Sequence, residues 1–156
     1  MRFLKKLKSQ GKLKIIDISG SIVDSYLNKS RRGISAAEVL IKTGHLEEAT
    51  SMVYYSMYYS TMALFFSFGI RCENHTGCIL LLDKIFDQKE LSDALRYAKE
   101  ERIDKQYYTD YSITKQEIEE FIEKAQDFSI AIKLLMDADG LTIEMIKKKI
   151  KEQLTD

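Results

Sequence analysis

The stretch from Ala49 to Ile70 carries no charged residue, in a chain of which 31% is Asp, Glu, Lys or Arg. Within it, residues 54–69 read YYSMYYSTMALFFSFG: four tyrosines in six positions, then Phe65, Phe66 and Phe68. A membrane span, a buried central helix and a ligand-stacking surface each look somewhat like this. Length alone would allow it to cross a bilayer. Its content argues against that, because Thr50, Ser51, Ser56, Ser60, Thr61 and Ser67 are polar and tyrosine favours the membrane interfaces over the midplane. A helix apolar on nearly all sides is otherwise the centre of a core, covered by neighbouring helices or by a second subunit. Tyrosine suits that place, since its ring packs while its hydroxyl finds a partner at the edge. The sequence therefore predicts the middle helix of a bundle and no membrane association. It also predicts a homodimer, in which a second copy covers apolar surface that a small bundle leaves over.

The rest of the chain fits that frame. Its 156 residues suit one domain, and with no proline and seven glycines its helices can run long. Residues 2–14 read as a short basic helix broken near Gly11. Residues 21–43 form a helix whose stripe is Ile22, Tyr26, Ile34, Ala37, Leu40 and Ile41, closed by Thr43-Gly44. The aromatic helix runs from about 46 to 68, with Glu47 and Glu48 in its first turn and Gly69 after its end. Asn74 or Thr76 caps a helix through 80–86, and another spans 88–105. Residues 107–113 read as a loop. Thr114 and Glu117 form a capping box for a helix whose apolar face is Ile118, Phe121, Ile122, Ala125, Phe128, Ile132 and Leu135. A last helix covers 141–154. The fold class is all-α: an antiparallel up-and-down bundle of four to five core helices plus terminal helices. Residues 1–20 form a basic N-terminal extension outside the core pattern, 21–140 the bundle, and 141–156 a C-terminal helix.

The formal net charge is zero, so the molecule as a whole is no generic polyanion binder. Residues 1–32 nonetheless carry nine Lys or Arg against only Asp17 and Asp24. Such an arm can meet nucleic acid, an acidic partner or an anionic surface, or simply be a solvated face. Two cysteines make no disulfide framework. The N-terminus has basic residues but no continuous apolar core, which reads as cytoplasmic. Cys72, His75 and Cys78 give a C-x2-H-x2-C run, but structural zinc wants four ligands. No metal and no cofactor is expected, and the cysteines read as small apolar fillers.

Several features stand in a recognisable order: a helix ending in KTGHLEEA, the aromatic helix YYSMYYSTMALFFSFGI, then NHTG, the step RIDKQY, and AQDFSIAIKLL in a capped helix. This set, over roughly residues 25–137, resembles the small single-domain HEPN proteins of bacteria and archaea. Their name denotes a nucleotide-binding domain found in higher eukaryotes and prokaryotes. The resemblance implies a helical bundle, usually dimeric, often encoded beside a minimal nucleotidyltransferase as a toxin–antitoxin-like pair. Several branches are metal-independent RNases, with an Arg, four to six residues and a His contributed by two subunits to one cleft. RNA can be cut by its own 2′-hydroxyl once a base takes that proton; histidine can be that base, and arginine holds the phosphate.

Here the motif position reads Arg102-Ile-Asp-Lys-Gln-Tyr107, with tyrosine where the family has histidine. A phenol with an ordinary pKa of about 10 is a poor base at neutral pH. By resemblance Arg102 and Tyr107 are the candidate catalytic pair, and Arg71, His75 and Tyr108 candidate ligand-binding residues. Each has a plainer reading. Arg102, with Arg96, Lys99, Glu100 and Glu101, makes a surface ion-pair array. His75, before a helix start, bonds loop backbone, and with Gly77 it matches the His-Gly step usual in that family branch. Tyr107, Tyr108 and Tyr111 suit base stacking or loop packing. Two functions follow: a dimeric, nucleotide- or RNA-facing partner of a nucleotidyltransferase, or an RNA endonuclease with a degenerate Arg-x4-Tyr motif.

Overall fold

A computed structural model describes residues 1–107, 109 and 112–155, without the side chains of Gln106 and Tyr107. Among the described residues there are seven helices and one two-stranded sheet. The helices are α1 (Arg2–Ser9), α2 (Gly20–Lys42), α3 (Leu46–Ser67), α4 (His75–Lys84), α5 (Lys89–Tyr107), α6 (Lys115–Met136) and α7 (Gly140–Leu154). The strands are β1 (Leu13–Ile15) and β2 (Ile70–Cys72). The all-α bundle expected from the sequence is the fold. No helix of the described residues is long and apolar enough to cross a membrane.

The aromatic helix α3 is the centre, packed against α2, α5 and α6. Four of its Ser and Thr hydroxyls bond within the helix. Thr50 donates to the carbonyl of Leu46, Ser60 and Thr61 to that of Met57, and Ser67 to that of Leu64. Ser56 reaches across to α2, where Ser30 and Ser56 each donate to the other's carbonyl at 2.8 Å, both buried. This reciprocal pair satisfies polar groups that would be costly if left unmatched. The contacts Gly33–Ser56, Ser30–Ser56 and Tyr26–Phe66 run in opposite chain directions, so α2 and α3 form an antiparallel hairpin.

The buried face of α2 differs from the predicted stripe. Val23, Ser30, Gly33 and Ala37 are buried, whereas Ile22 is exposed. Helices that approach this closely accommodate only small side chains: a Cβ on Gly33 would meet the Met52 carbonyl oxygen at 3.1 Å. On α6 all seven predicted positions are buried, and the capping box closes with Glu117 N–H donating to Thr114 Oγ1 at 3.1 Å and Thr114 N–H to Glu117 Oε2 at 2.7 Å.

The N-terminal segment is not the free arm that its charge suggests. Leu4, Leu7 and Leu13 are at most 2% exposed. β1 pairs antiparallel with β2 in the register Leu13↔Cys72, Lys14↔Arg71 and Ile15↔Ile70. Gly69 makes this approach possible, since it has φ +72° and its Cβ would lie 2.7 Å from the Ile16 carbonyl oxygen. The basic side chains of α1 ride on the outer face of a helix that is otherwise docked.

Candidate functional site

The tyrosine half of α3 meets the first turn of α4 and the second half of α5, and there the charged and titratable side chains converge. Asn74 caps α4, its side chain accepting from Gly77 N–H at 2.8 Å. The helix therefore begins at His75, as the Asn74 alternative expected from the sequence implies, and its positive end lies beside these side chains. The His75 ring lies flat on Tyr58, centroids 4.3 Å apart and planes 4° apart. Its Nδ1 is hydrogen-bonded to the Tyr54 hydroxyl. From α5, Arg102 donates to the Tyr55 hydroxyl at 2.7 Å, with its guanidinium 5.3 Å from the Tyr54 ring centroid and 5.4 Å from that of Tyr55. One turn earlier on the same face, Lys99 donates to Thr76 Oγ1 at 3.2 Å.

Burial, then the charges of Arg102 and Lys99, lower the pKa of His75 below its ordinary value, so its imidazole is neutral at neutral pH. Burial pushes the Tyr54 and Tyr58 phenols well above the ordinary phenol range, with Arg102 only partly opposing this at Tyr54. Tyr54 therefore keeps its proton and can donate it to Nδ1. In that tautomer Nε2–H is a donor suited to a phosphate oxygen; in the other, Nδ1–H donates to the phenol and Nε2 is left as a base. The cluster thus combines a guanidinium oriented by aromatic rings, an ammonium, an uncharged imidazole and a helix N-terminus. That set favours an anion.

The expected site residues separate. Arg102 and His75, which lie in different elements, are brought together through Tyr54 and Tyr55. Arg102 is half-buried against the Tyr54 and Tyr55 rings. His75 bonds a tyrosine rather than loop backbone. Arg71 stands apart as an exposed strand residue ion-paired with Glu73. The Tyr107 side chain, Tyr108 and Tyr111 lie outside the described residues. Cys72 and Cys78 are both buried and free.

Sequence reasoning assigned Tyr54, Tyr55 and Tyr58 to the core and Lys99 to a charged surface. The core reading holds, with Tyr54 fully buried and Tyr55 and Tyr58 packed against the core. The spacings that could have signalled the polar contacts as well are Tyr54 and Tyr58 at i and i+4, and Lys99 and Arg102 at i and i+3. Another groove of about 250 Å³ between α5 and α6 is lined by Glu101, Glu117 and Glu120 with Lys105 and Lys124, a balance that does not suit an anion.

Comparison with known proteins adds one result. The family model of the HEPN domain matches residues 23–135, which take in α3, His75, Lys99 and Arg102 but not α1, β1 or α7. No curated protein matches the chain. The family match supports a nucleotide- or RNA-related function.

Proposed function

The chain belongs to the HEPN domain family, and on that premise we propose that its α3–α4–α5 cleft binds RNA or a nucleotide through phosphate. We place this in a homodimer that partners a minimal nucleotidyltransferase in a toxin–antitoxin-like pair. The observation that carries the reading is the cluster of Arg102, Lys99 and His75 around Tyr54, Tyr55 and Thr76. A guanidinium fixed in plane by rings and a hydroxyl loses little freedom on engaging a phosphate. Support for the dimer does not come from α3, which one chain covers by itself. It comes from Ile130 and Leu134 on α6 and Leu141 and Met145 on α7, all large apolar side chains left exposed.

Fluorescence anisotropy with labelled RNA tests the cleft. The expected result is low-micromolar or weaker binding with little sequence preference, falling steeply between about 50 and 200 mM salt. Arg102→Ala should weaken it about tenfold, the scale of a lost charge-assisted contact. Absence of binding at low salt removes the RNA reading. Light scattering should give twice the chain mass, and co-purification with a nucleotidyltransferase encoded beside it tests the pairing.

A second reading, a metal-independent RNA endonuclease, draws on one observation: Tyr54 touches both Arg102 and His75, so an imidazole lies in the cleft although position 107 is tyrosine. In that reading neutral His75 takes the 2′-hydroxyl proton while Arg102 steadies the phosphate. We expect binding without cleavage. Cutting in the presence of a chelator, lost in both His75→Ala and Arg102→Ala, would instead establish the enzyme.

A further inference from the structure

We infer that the groove between α2 and α3, beside the Arg102 cleft, is a stacking site for the unpaired bases of single-stranded RNA. This rests on the reading of the cleft as RNA-facing and adds where the bases go. The groove has a volume of about 400 Å³, within the roughly 300–1,000 Å³ of ligand clefts. Gly33 contributes to its floor, and Tyr55 and Tyr59, one turn apart on α3, form one wall. Lys29 and Arg32 of α2, both exposed, flank it.

Three observations join to make this an RNA surface. Tyr55 belongs to both places: its hydroxyl accepts from Arg102 and its ring lines the groove. A chain whose phosphate sits at Arg102 therefore has an aromatic face next to it. The Tyr55 and Tyr59 rings are 5.8 Å apart at 27°, nearly parallel, and both are half-buried, so each is anchored while keeping accessible surface. Lys29 Nζ lies over the rings of both Tyr26 and Tyr59, 5.4 Å from each centroid, so a base stacking on that face of Tyr59 takes the place of the ammonium, which turns to the base's phosphate. Among the described residues, no acidic side chain lines this groove. The grooves against α6 differ: one carries Glu38, Glu119 and Glu123, and another Asp127.

Aromatic rings beside lysine and arginine, with no carboxylate, are the combination that takes splayed bases with their phosphates. A duplex keeps its bases stacked and offers no face to insert. A second copy of the chain fits less well, because a two-fold contact centred here would bring Lys29 and Arg32 against their own counterparts.

The test compares a labelled oligouridine with a labelled RNA duplex of equal length, using the full chain and the variants Tyr59→Leu, Arg32→Glu and Arg102→Ala. We expect oligouridine to bind more tightly than duplex. Tyr59→Leu should weaken oligouridine binding about fivefold, the scale of one lost base stack. Arg32→Glu should reduce the slope of log affinity against log salt by about one. A 4-thiouridine oligonucleotide should photocrosslink to Tyr55 or Tyr59 in the unaltered protein, a readout that needs no variant to fold. If Arg102→Ala weakens binding but the groove variants do not, and crosslinks fall elsewhere, the groove assignment is overturned while the cleft stands. If oligouridine does not bind at all, the cleft reading fails and takes the groove with it. Duplex binding as tight as single strand also overturns the assignment. So does an Arg32→Glu variant that turns a dimer into a monomer, since the groove is then a contact between copies.

Discussion

The two halves of α3 look alike in the sequence and do different things in the structure. In the later half Phe65 is fully buried and stacks on Phe86 at 5.4 Å, while Phe66 stacks on Tyr26 at 5.2 Å and Phe68 meets Phe86 edge-on. In the earlier half Tyr54, Tyr55 and Tyr58 present rings of similar size to Arg102 and His75. The phenylalanines meet only aromatic rings among these contacts, whereas Tyr54, Tyr55 and Tyr58, which also meet one another, add contacts to Arg102 or His75. Burial does not separate the halves, since Tyr54 is as fully buried as Phe65; what separates them is that the tyrosine rings reach Arg102 and His75 and the phenylalanine rings do not.

The sharpest way to break that contrast is Phe65→Ala. A fully buried phenylalanine truncated in a packed core costs about 3–5 kcal/mol, read as the shift in a urea unfolding curve. If the loss is below about 1 kcal/mol, the phenylalanine half is not the core that its burial indicates. A smaller effect should come from Gly77→Ala, which tests what holds His75 against the tyrosines from behind. The new Cβ would lie 2.5 Å from Leu7 Cδ1 and 2.9 Å from Cys72 Sγ. Overpacking of this kind costs about 1–3 kcal/mol. Leu7→Ala in the same chain should relieve part of the clash, so the double variant should lose less than the sum of the singles. Strict additivity would mean that α1 does not buttress the first turn of α4.

Tyr55→Phe should have a smaller effect on stability, about 0.5–1.5 kcal/mol, because it removes one hydrogen bond and keeps the ring. Its effect on RNA affinity should exceed that of Ser67→Ala, which removes a hydroxyl from the phenylalanine half that bonds only its own helix. Equal effects in an anisotropy titration would erase the functional difference between the halves.

What the sequence disclosed follows the range of the interactions involved. The capping box at Thr114, the Thr43-Gly44 stop and the apolar face of α6 are local and were legible. The β1–β2 pair joins three residues to three across more than fifty positions, too short for a period-2 signal. Leu4, Leu7 and Leu13 were masked by the lysines between them. The start of α4 was legible as one of two caps, Asn74 or Thr76, and the Asn74 side chain accepting from Gly77 N–H decides for Asn74. Arg102 was legible from spacing within a family resemblance. Its meeting with His75 was not, because it depends on α4 and α5 packing on the same tyrosines.

The smallest expected effect is the most specific to the tyrosine half. The chain has two histidines, His45 and His75, so two imidazole signals appear in a proton NMR titration, and His45→Gln assigns them. His75 should titrate below 6.5, its ordinary value, because burial disfavours its charged form and Arg102 and Lys99 add repulsion. The sign for stability follows. Above pH 6.5 neither folded nor unfolded chain protonates this ring, and its contribution is fully present. As pH falls below 6.5 the unfolded chain takes up a proton that the folded chain refuses, so stability drops until the folded pKa is passed and then levels off. Carboxylates titrate at lower pH as well, so the useful quantity is the pH slope of the unmodified chain minus that of His75→Gln. Arg102→Gln should move the His75 titration upward by removing the larger of the two neighbouring charges. An anion bound in the cleft should do the same by offsetting both, so adding RNA or inorganic phosphate should raise the His75 pKa. An unchanged titration in Arg102→Gln would mean that the guanidinium does not act on the ring, leaving burial and Lys99 to set its pKa. If RNA also leaves it unmoved, the anion does not sit where Arg102, Lys99 and His75 converge.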